Sequence, residues 1–125
     1  MINGVVGITI WTDNLERLRT FYIETLKLTL HSDHETFLTF QFGDVRLNLG
    51  YHKDVSGKTK DPYRTMINLA VMDIQEEYER LIEQRVQFIR PPQQEHWMGW
   101  VSTFKDPDGN ILQLLEFPEG TTQSK

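Results

Sequence analysis

Apolar and polar residues alternate through the stretch VVGITIW near the start of the chain. An alternation of period two predicts a β-strand with two unlike faces. One face carries Val6, Ile8 and Ile10. The other face mixes small, polar and aromatic residues, namely Val5, Gly7, Thr9 and Trp11. The pattern therefore predicts a strand that packs against a core on its first face only.

A helix is predicted directly after this strand. Asp13 or Asn14 suits its N-cap, because a short polar side chain there accepts a hydrogen bond from a backbone N–H of the first turn. Apolar residues then recur at helical spacing, at Leu15, Leu18, Tyr22 and Leu26. Three further strands are predicted at about Thr29–Asp33, Thr36–Phe42 and Val45–Tyr51. The turns between them carry His34-Glu35 and Gly43-Asp44.

The same order of elements begins again after a polar linker at about 53–63. The stretch MINLAV alternates like the first strand, and Asp73 suits a second helix N-cap. Strands are predicted near Gln87–Arg90, Gly99–Lys105 and Ile111–Phe117, with Asp106-Pro107-Asp108-Gly109 as a type I turn. A shift of 59 positions superposes Gly7 on Met66. We therefore predict one α+β domain, residues 1–125, built from two tandem βαβββ modules at about 1–52 and 64–118.

In each module one strand face is apolar and is expected to pack under the helix. The opposite face mixes polar and small residues, such as Arg46, Asn48 and Gly50 in the first module and Asn68 and Gln113 in the second. A concave sheet face with a few polar groups among apolar ones is the usual form of a small-molecule site. A half-solvated sheet or a subunit interface would show the same pattern.

Composition narrows the function classes. The chain has 125 residues, of which 38% are hydrophobic and 25% charged, as is ordinary for a globular domain. A formal net charge of -5, with no offsetting cluster of Lys or Arg, argues against a nucleic-acid partner and weakly favours cationic or neutral ligands. The lack of cysteine excludes disulfides and Cys-based zinc sites. The chain shows no signal peptide and no membrane-spanning stretch, so a cytoplasmic protein without a membrane partner is expected.

Three segments together resemble the vicinal oxygen chelate superfamily, which includes glyoxalases, bleomycin-resistance proteins and extradiol dioxygenases. They are GITIWTDNLERLRTFYIETLKL, INLAVMDIQEEYERL and FKDPDGNILQLLE, in this order inside the duplication. The resemblance implies that the paired modules form a cupped mixed sheet around one cleft, with the helices on the outer face. It also implies a homodimer, because small members often build their clefts across subunits.

Metal-using members of this superfamily place a ligand, usually His, on the first strand of each module and a carboxylate on each last strand. Carried over by position, these places are Gly7, Met66, Asn48 and Gln113. A divalent ion needs about three protein ligands such as imidazole or carboxylate groups. A glycine, a thioether and two amides do not supply them. We therefore expect the scaffold without its metal site, and no cofactor.

Aromatic residues indicate what a cleft would hold. Trp97 and Trp100 lie on a loop that enters a strand, after the stiff Pro91-Pro92 pair. With Trp11 on the mixed face they would form a wall for a planar or cationic ligand, since aromatic rings stack on such groups. Burial in the core or at a dimer contact is the alternative for these tryptophans.

Two titratable residues lie near the expected cleft. His52 shares the strand face of Asn48 and would lie at the rim, where a histidine can act as a general base. An exposed loop position beside Lys53 is the alternative. Glu116 is expected on the face opposite Gln113, turned to solvent. The predicted ligand-binding residues are Trp11, Asn48, His52, Met66, Trp97, Trp100 and Gln113.

Three functions fit these observations. The first is a metal-free small-molecule-binding protein of the glyoxalase/bleomycin-resistance type, which sequesters its ligand without chemistry and so needs no transition-state stabilisation. The second is a glyoxalase- or dioxygenase-like metalloenzyme with a displaced site. The third is a regulatory or interaction module that keeps only the scaffold. The binding protein is the hypothesis that the sequence favours, and whether any reaction is catalysed stays open.

Overall fold

Both predicted modules are present, and each forms a compact unit. The computed structural model describes residues 1–120. The first unit is Met1–Gly57 and the second begins at Lys58, so the boundary falls inside the predicted linker. The elements of the first unit are β1 (Gly7–Thr12), α1 (Leu15–Arg19), a π-helical segment (Thr20–Thr25), β2 (Leu30–His34), β3 (Phe37–Phe42) and β4 (Val45–Tyr51). Those of the second are a 3-10 turn (Pro62–Arg64), β5 (Met66–Ala70), α2 (Ile74–Glu83), β6 (Gln87–Gln94), β7 (Trp100–Lys105) and β8 (Ile111–Glu116).

Each unit contains its own four-stranded mixed sheet. The strand orders are β1-β4-β3-β2 and β5-β8-β7-β6. In each sheet the first strand of the module pairs in parallel with the last, and the remaining pairs are antiparallel. The predicted α+β class and the tandem βαβββ modules are therefore confirmed.

The helix of the first unit is held by a cap at its start and by packing along its length. The side chain of Asn14 accepts a hydrogen bond from the backbone N–H of Arg17 at 3.2 Å. Leu18 and Tyr22 are fully buried, and the Tyr22 ring stacks on Phe40 with centroids 6.4 Å apart. Burial of each such side chain contributes about 1.5–3 kcal/mol. The predicted helix through Leu26 is present, but its second half is π-helical.

The second helix follows the same plan. Asp73 caps α2 by accepting from the N–H of Glu76 at 3.1 Å. Phe88 on β6 bridges the helix and the sheet, since its ring lies 4.7 Å from Tyr78 and 5.3 Å from the buried Phe104. None of the helices in residues 1–120 combines the length and the apolar character that crossing a membrane requires.

Two boundaries differ from the predictions. The first hairpin turns at Glu35 and Thr36, so His34 ends β2 instead of forming the turn. β6 continues through the Pro91-Pro92 pair, which was predicted to lie in a loop. Proline is tolerated there because β6 is an edge strand, where an N–H is not required on the open side.

The last hairpin is organised by Asp106, as the stretch DPDG predicts. The N–H of Gly109 donates to the carbonyl of Asp106 at 3.0 Å, which closes the turn. The buried carboxylate of Asp106 accepts from the N–H groups of Asp108 and Asn110, each at 2.9 Å. This network sets the start of β8 and thereby the position of Gln113.

Both helical segments end on a residue in the left-handed region. Lys27 has φ 63° and Arg85 has φ 65°, and backbone N–H groups just beyond them return to Tyr22 and Leu81 carbonyls at 3.1 Å. Such helix ends favour glycine, because a Cβ is strained at positive φ.

We predict that Lys27→Gly and Arg85→Gly each raise the free energy of unfolding, by roughly 0.5–1 kcal/mol, through relief of this strain. Urea unfolding followed by circular dichroism measures the change. Lys53→Gly is the control, since Lys53 does not have positive φ and glycine there should only loosen the chain. A loss of stability in both helix-end variants would contradict the prediction.

Candidate functional site

A row of hydrogen-bonded side chains crosses the first sheet at Asn48. In the strand register Asn48 lies between Thr9 on β1 and Thr39 on β3. The hydroxyl of Thr39 donates to Asn48 Oδ1 at 2.9 Å, and Asn48 Nδ2 donates to Thr9 Oγ1 at 3.2 Å. We call these three residues the first amide row, and the sheet face that carries them the polar face. The row ties three strands together through one side chain.

The second sheet repeats this arrangement at Gln113. Gln113 lies between Asn68 on β5 and Thr103 on β7. Thr103 Oγ1 donates to Gln113 Oε1 at 3.0 Å, and Gln113 Nε2 donates to Asn68 Oδ1 at 2.9 Å. We call these residues the second amide row. The two predicted positions of the family carboxylates are therefore equivalent in structure, and each amide is already engaged on both sides.

The residues at the family's metal positions do not fit a divalent ion. Gly7 and Met66 offer no imidazole, and in register they lie opposite Arg46 and Ile111, not opposite the amides. A Cβ at Gly7 would lie 2.9 Å from the carbonyl oxygen of Arg46, so this backbone has no room for a side chain there without a shift. No group of three His, Asp or Glu side chains able to hold a metal occurs within residues 1–120. We therefore derive no chemistry through a metal at these positions.

An aromatic cluster lies beside the first amide row on the polar face. It consists of Trp11, Phe37 and His52. The Trp11 ring is centred 5.9 Å from Phe37 and 5.3 Å from His52. The cluster is seated over Gly50, because a Cβ there would lie 2.6 Å from the Trp11 ring and 2.7 Å from the Phe37 ring. Trp11 is 44% exposed, so the cluster presents an aromatic surface to solvent.

His52 is fixed in this cluster by the chain that follows β4. Its backbone N–H donates to the carbonyl of Thr12 at 3.1 Å, and its Nδ1 accepts from the N–H of Asp54 at 3.1 Å. The side chain is half-buried and packs edge-on against Trp11. His52 thus lies directly after β4 and packs against Trp11, and its place at the rim of a cleft stays a prediction.

Asp13 holds the end of the same segment. Its carboxylate accepts from the backbone N–H of Gly57 at 2.8 Å. This hydrogen bond, with the nearby Arg17 guanidinium, lowers the pKa of Asp13 below its ordinary value. A lowered folded-state pKa means that the contact stabilises the fold above the unfolded pKa and is lost as the pH falls through the folded pKa.

The polar face of the first sheet also contains a shallow depression. Its volume is about 400 Å³ and its lining residues are Val6, Gly7, Thr9, Asp44, Arg46 and Asn48. The missing side chain at Gly7 leaves this part of the face open. The depression therefore adjoins the first amide row on the side away from the aromatic cluster.

The two sheets differ on this face, although their registers match. The position next to the first amide row holds the aromatic pair Trp11 and Phe37 across Gly50. The equivalent row of the second sheet is aliphatic and consists of Ala70, Leu115 and Val101. Met66 begins β5 on the same face as Asn68 and is 37% exposed. In the row next to the amides, the first sheet thus carries aromatic side chains and the second sheet aliphatic ones.

Trp100 does not lie on the face of Gln113, which corrects the predicted aromatic wall. By strand alternation Trp100 shares its face with Glu116, its partner in the register. Both line a depression of about 280 Å³ at the start of α2, with Asp73, Ile74 and Gln75. The alternation of β7 places Trp100 on the helix side of its sheet.

Glu116 has a structural partner there. Its Oε1 accepts from the backbone N–H of Ile74 at 2.8 Å, so it satisfies one of the open donors at the N-terminus of α2. The prediction that Glu116 turns freely to solvent is therefore wrong, although its predicted side of the sheet agrees with this contact. Glu116 acts as a second cap beside Asp73.

Trp97 lies at the tip of the hairpin between β6 and β7. Its ring covers Gly99 and is centred 6.0 Å from Phe117. The turn is closed by the N–H of Met98, which donates to the carbonyl of Glu95 at 2.8 Å. Trp97 is 37% exposed, so part of its ring faces solvent.

The sequence interpretation missed Phe37, Thr39 and Thr103 as members of these arrangements. All three lie on middle strands, β3 and β7, whose pairing partners are not encoded by local periodicity. The sequence did contain a signal, namely the alternation of residues along β3. Phe37 and Thr39 alternate with the apolar Leu38 and Phe40, and so belong to the polar face.

We predict that Gly50→Ala displaces the Trp11 and Phe37 rings, lowers stability by about 1–3 kcal/mol through overpacking, and shifts tryptophan emission. Gly4→Ala is the matched control, because a Cβ at Gly4 meets no atom within 4 Å. Urea unfolding and fluorescence spectra of both variants give the measurement. Unchanged spectra and stability in Gly50→Ala would show that the rings are not seated on this glycine.

Comparisons with known proteins agree with this geometry. The sequence profile of the Glyoxalase/Bleomycin resistance protein/Dioxygenase superfamily matches residues 4–114. No curated protein sequence matches the chain. Among solved structures, a superfamily member from Sphaerobacter thermophilus DSM 20745 is 28% identical with a TM-score of 0.72, and the match covers 92% of this chain and 98% of that one.

Two more distant structures share the fold. A glyoxalase/bleomycin resistance protein/dioxygenase from Nocardioides is 23% identical with a TM-score of 0.72, over 100% of this chain and 90% of that one. A glyoxalase-related enzyme from Fulvimarina pelagi is 20% identical with a TM-score of 0.78, over 98% of this chain and 96% of that one. The chain belongs to the Glyoxalase/Bleomycin resistance protein/Dioxygenase superfamily.

Proposed function

We propose that this chain is a metal-free small-molecule-binding protein that takes planar ligands on the polar face of its first module and catalyses no reaction on them. The observation that carries the proposal is the pair of amide rows. Asn48 and Gln113 stand at the positions where metal-using relatives have carboxylates, and both amides are hydrogen-bonded within their own sheets. Their oxygens are neutral and engaged, which is a poor donor set for a divalent ion.

The aromatic cluster supplies the binding surface in this proposal. Trp11 is held from beneath by Gly50 and from the sides by Phe37 and His52, so little conformational entropy is lost when a ligand stacks on it. The first amide row is the neighbouring row of residues on the same sheet face, and it offers polar groups to orient the ligand. A rigid aromatic surface beside a few fixed polar groups is typical of binding sites for small planar molecules.

The second module carries candidate ligand-binding residues of its own, on its own sheet and hairpin. Gln113 is half-buried at the centre of the second amide row, and the exposed Met66 is a flexible apolar side chain that adapts to different ligand shapes. The partly exposed Trp97 is a further stacking surface. Trp100 is left out, because it lies on the helix side of its sheet.

The proposal extends to the biological setting. Sequestration of a toxic planar compound, such as an antibiotic, fits a site that binds without chemistry, and the superfamily name includes bleomycin resistance proteins. A homodimer in the cytoplasm is part of the same proposal. The lack of cysteine in all 125 residues is compatible with that compartment.

The metal content of the purified chain tests the proposal against a metalloenzyme. We expect far less than one equivalent of zinc, nickel, manganese or iron per chain by mass spectrometry, even after growth in metal-supplemented medium. A stoichiometric ion that resists dialysis and whose removal abolishes turnover of an α-keto hemithioacetal or a catechol would establish the enzyme instead.

Ligand binding provides the second prediction. We expect planar aromatic compounds to quench the fluorescence of the wild-type chain, and Trp11→Ala to weaken their binding by about 1–2 kcal/mol through loss of stacking area. Trp100→Phe is the matched control, because Trp100 is 36% exposed but lies on the opposite sheet face from Gln113. Equal affinities of the wild type and Trp11→Ala by calorimetry would remove the aromatic cluster from the site.

A further inference from the structure

The depression on the polar face is lined in part by an arginine, Arg46. Arg46 lies at its wall, and no ion pair or hydrogen bond joins the Arg46 guanidinium to another side chain of residues 1–120. The other arginines of the first unit do have partners: Arg17 pairs with Asp13, and Arg19 pairs with Glu16 and Asp33. Among the arginines of residues 1–57, Arg46 is therefore the one whose guanidinium has no side-chain partner.

Hydrogen-bond donors converge on the same depression. Thr9 Oγ1 accepts from Asn48, so the hydroxyl hydrogen of Thr9 is left to donate elsewhere. Asn48 Nδ2 has two hydrogens and gives one to Thr9. Both residues line the depression together with Arg46. The guanidinium offers a planar fork of donors that matches a carboxylate in a bidentate manner.

The aromatic cluster and Arg46 are separated by a fixed distance along β4. Trp11 covers Gly50, and Gly50 is four positions after Arg46 on the same strand face. At about 3.3 Å per residue this corresponds to roughly 13 Å, with Asn48 midway. A ligand made of two linked aromatic rings and one charged end group has about this length.

We propose that the ligand of the polar face is a planar aromatic acid, with its rings on the aromatic cluster and its carboxylate on Arg46, Thr9 and Asn48. This inference rests on the proposed function and names its ligand class. It reverses the expectation of a cationic ligand that the net charge of -5 suggests. Charges farther away than about 8 Å are screened at physiological ionic strength, whereas a carboxylate in contact with Arg46 is not.

Asp44 is the one negative group in the depression and opposes this ligand. It lies in the turn before β4, is exposed, and has no ion-pair partner among residues 1–120. Repulsion from Asp44 should weaken the binding of an anion, and the attraction of Arg46 should exceed it because a bidentate pair is stronger than an indirect contact. Asp44 and Arg46 therefore give variants with opposite expected effects.

The test uses biphenyl-4-carboxylate and its neutral isostere biphenyl-4-carboxamide, measured by calorimetry and by Trp11 fluorescence at pH 7.5. We expect the wild-type chain to bind the carboxylate about fivefold to tenfold more tightly than the amide. Arg46→Gln should abolish this preference, and Asp44→Asn should increase it. Added salt should reduce the preference in the wild type and leave amide binding unchanged.

The outcomes separate this inference from the proposed function. Equal binding of the two compounds, unaffected by Arg46→Gln, overturns the anionic ligand but leaves the planar-ligand site in place. The matched cation is biphenyl-4-ylmethylammonium. If it binds more tightly than the carboxylate, and Asp44→Asn weakens its binding, the inference of an anionic ligand is overturned in favour of a cationic one. Binding of none of the three compounds overturns the planar site and the inference together. Circular dichroism and urea unfolding of both variants confirm that the fold is retained.

Discussion

A single side-chain amide in each module holds three strands together by accepting on one side and donating on the other. Asn48 and Gln113 occupy these places, and an amide is suited to them because it combines an acceptor and a donor in one planar group. A carboxylate at the same place supplies acceptors only, and its negative charge would need a cation to balance it. The amide at each place thus stabilises the sheet and adds no negative charge there.

The duplication has preserved the scaffold while the faces have diverged. Both modules keep the parallel pairing of first and last strands, the amide row, and an irregular register next to the row's threonine, between Leu30 and Ser32 on β2 and between Phe88 and Arg90 on β6. Next to the amide row, however, the first module has Trp11 and Phe37 over Gly50, whereas the second has only aliphatic side chains.

Sequence periodicity located the strands because each has one face that must be buried. The cap Asp73 and the turn at Asp106 depend on local chemistry and were predicted correctly, and of the two predicted caps Asp13 and Asn14 the structure has Asn14. Trp100 and Glu116 were assigned less well. The face of β7 on which Trp100 lies was not evident from the sequence, because a loop precedes this residue. The partner of Glu116 is a backbone N–H 42 positions away in the chain.

The sequence by itself determined the modules, the helix starts and the identity of the amides at the family's ligand positions, since these follow from alternation, capping and position. Only the tertiary structure decided that each amide bridges two neighbouring strands, that Gly50 seats an aromatic cluster, and that the Arg46 guanidinium has no side-chain partner within residues 1–120. These features depend on register between strands far apart in the chain. A shift of one residue would exchange the two faces of a strand, so alternation determines which face is buried, but it does not determine which residue of a distant strand lies opposite.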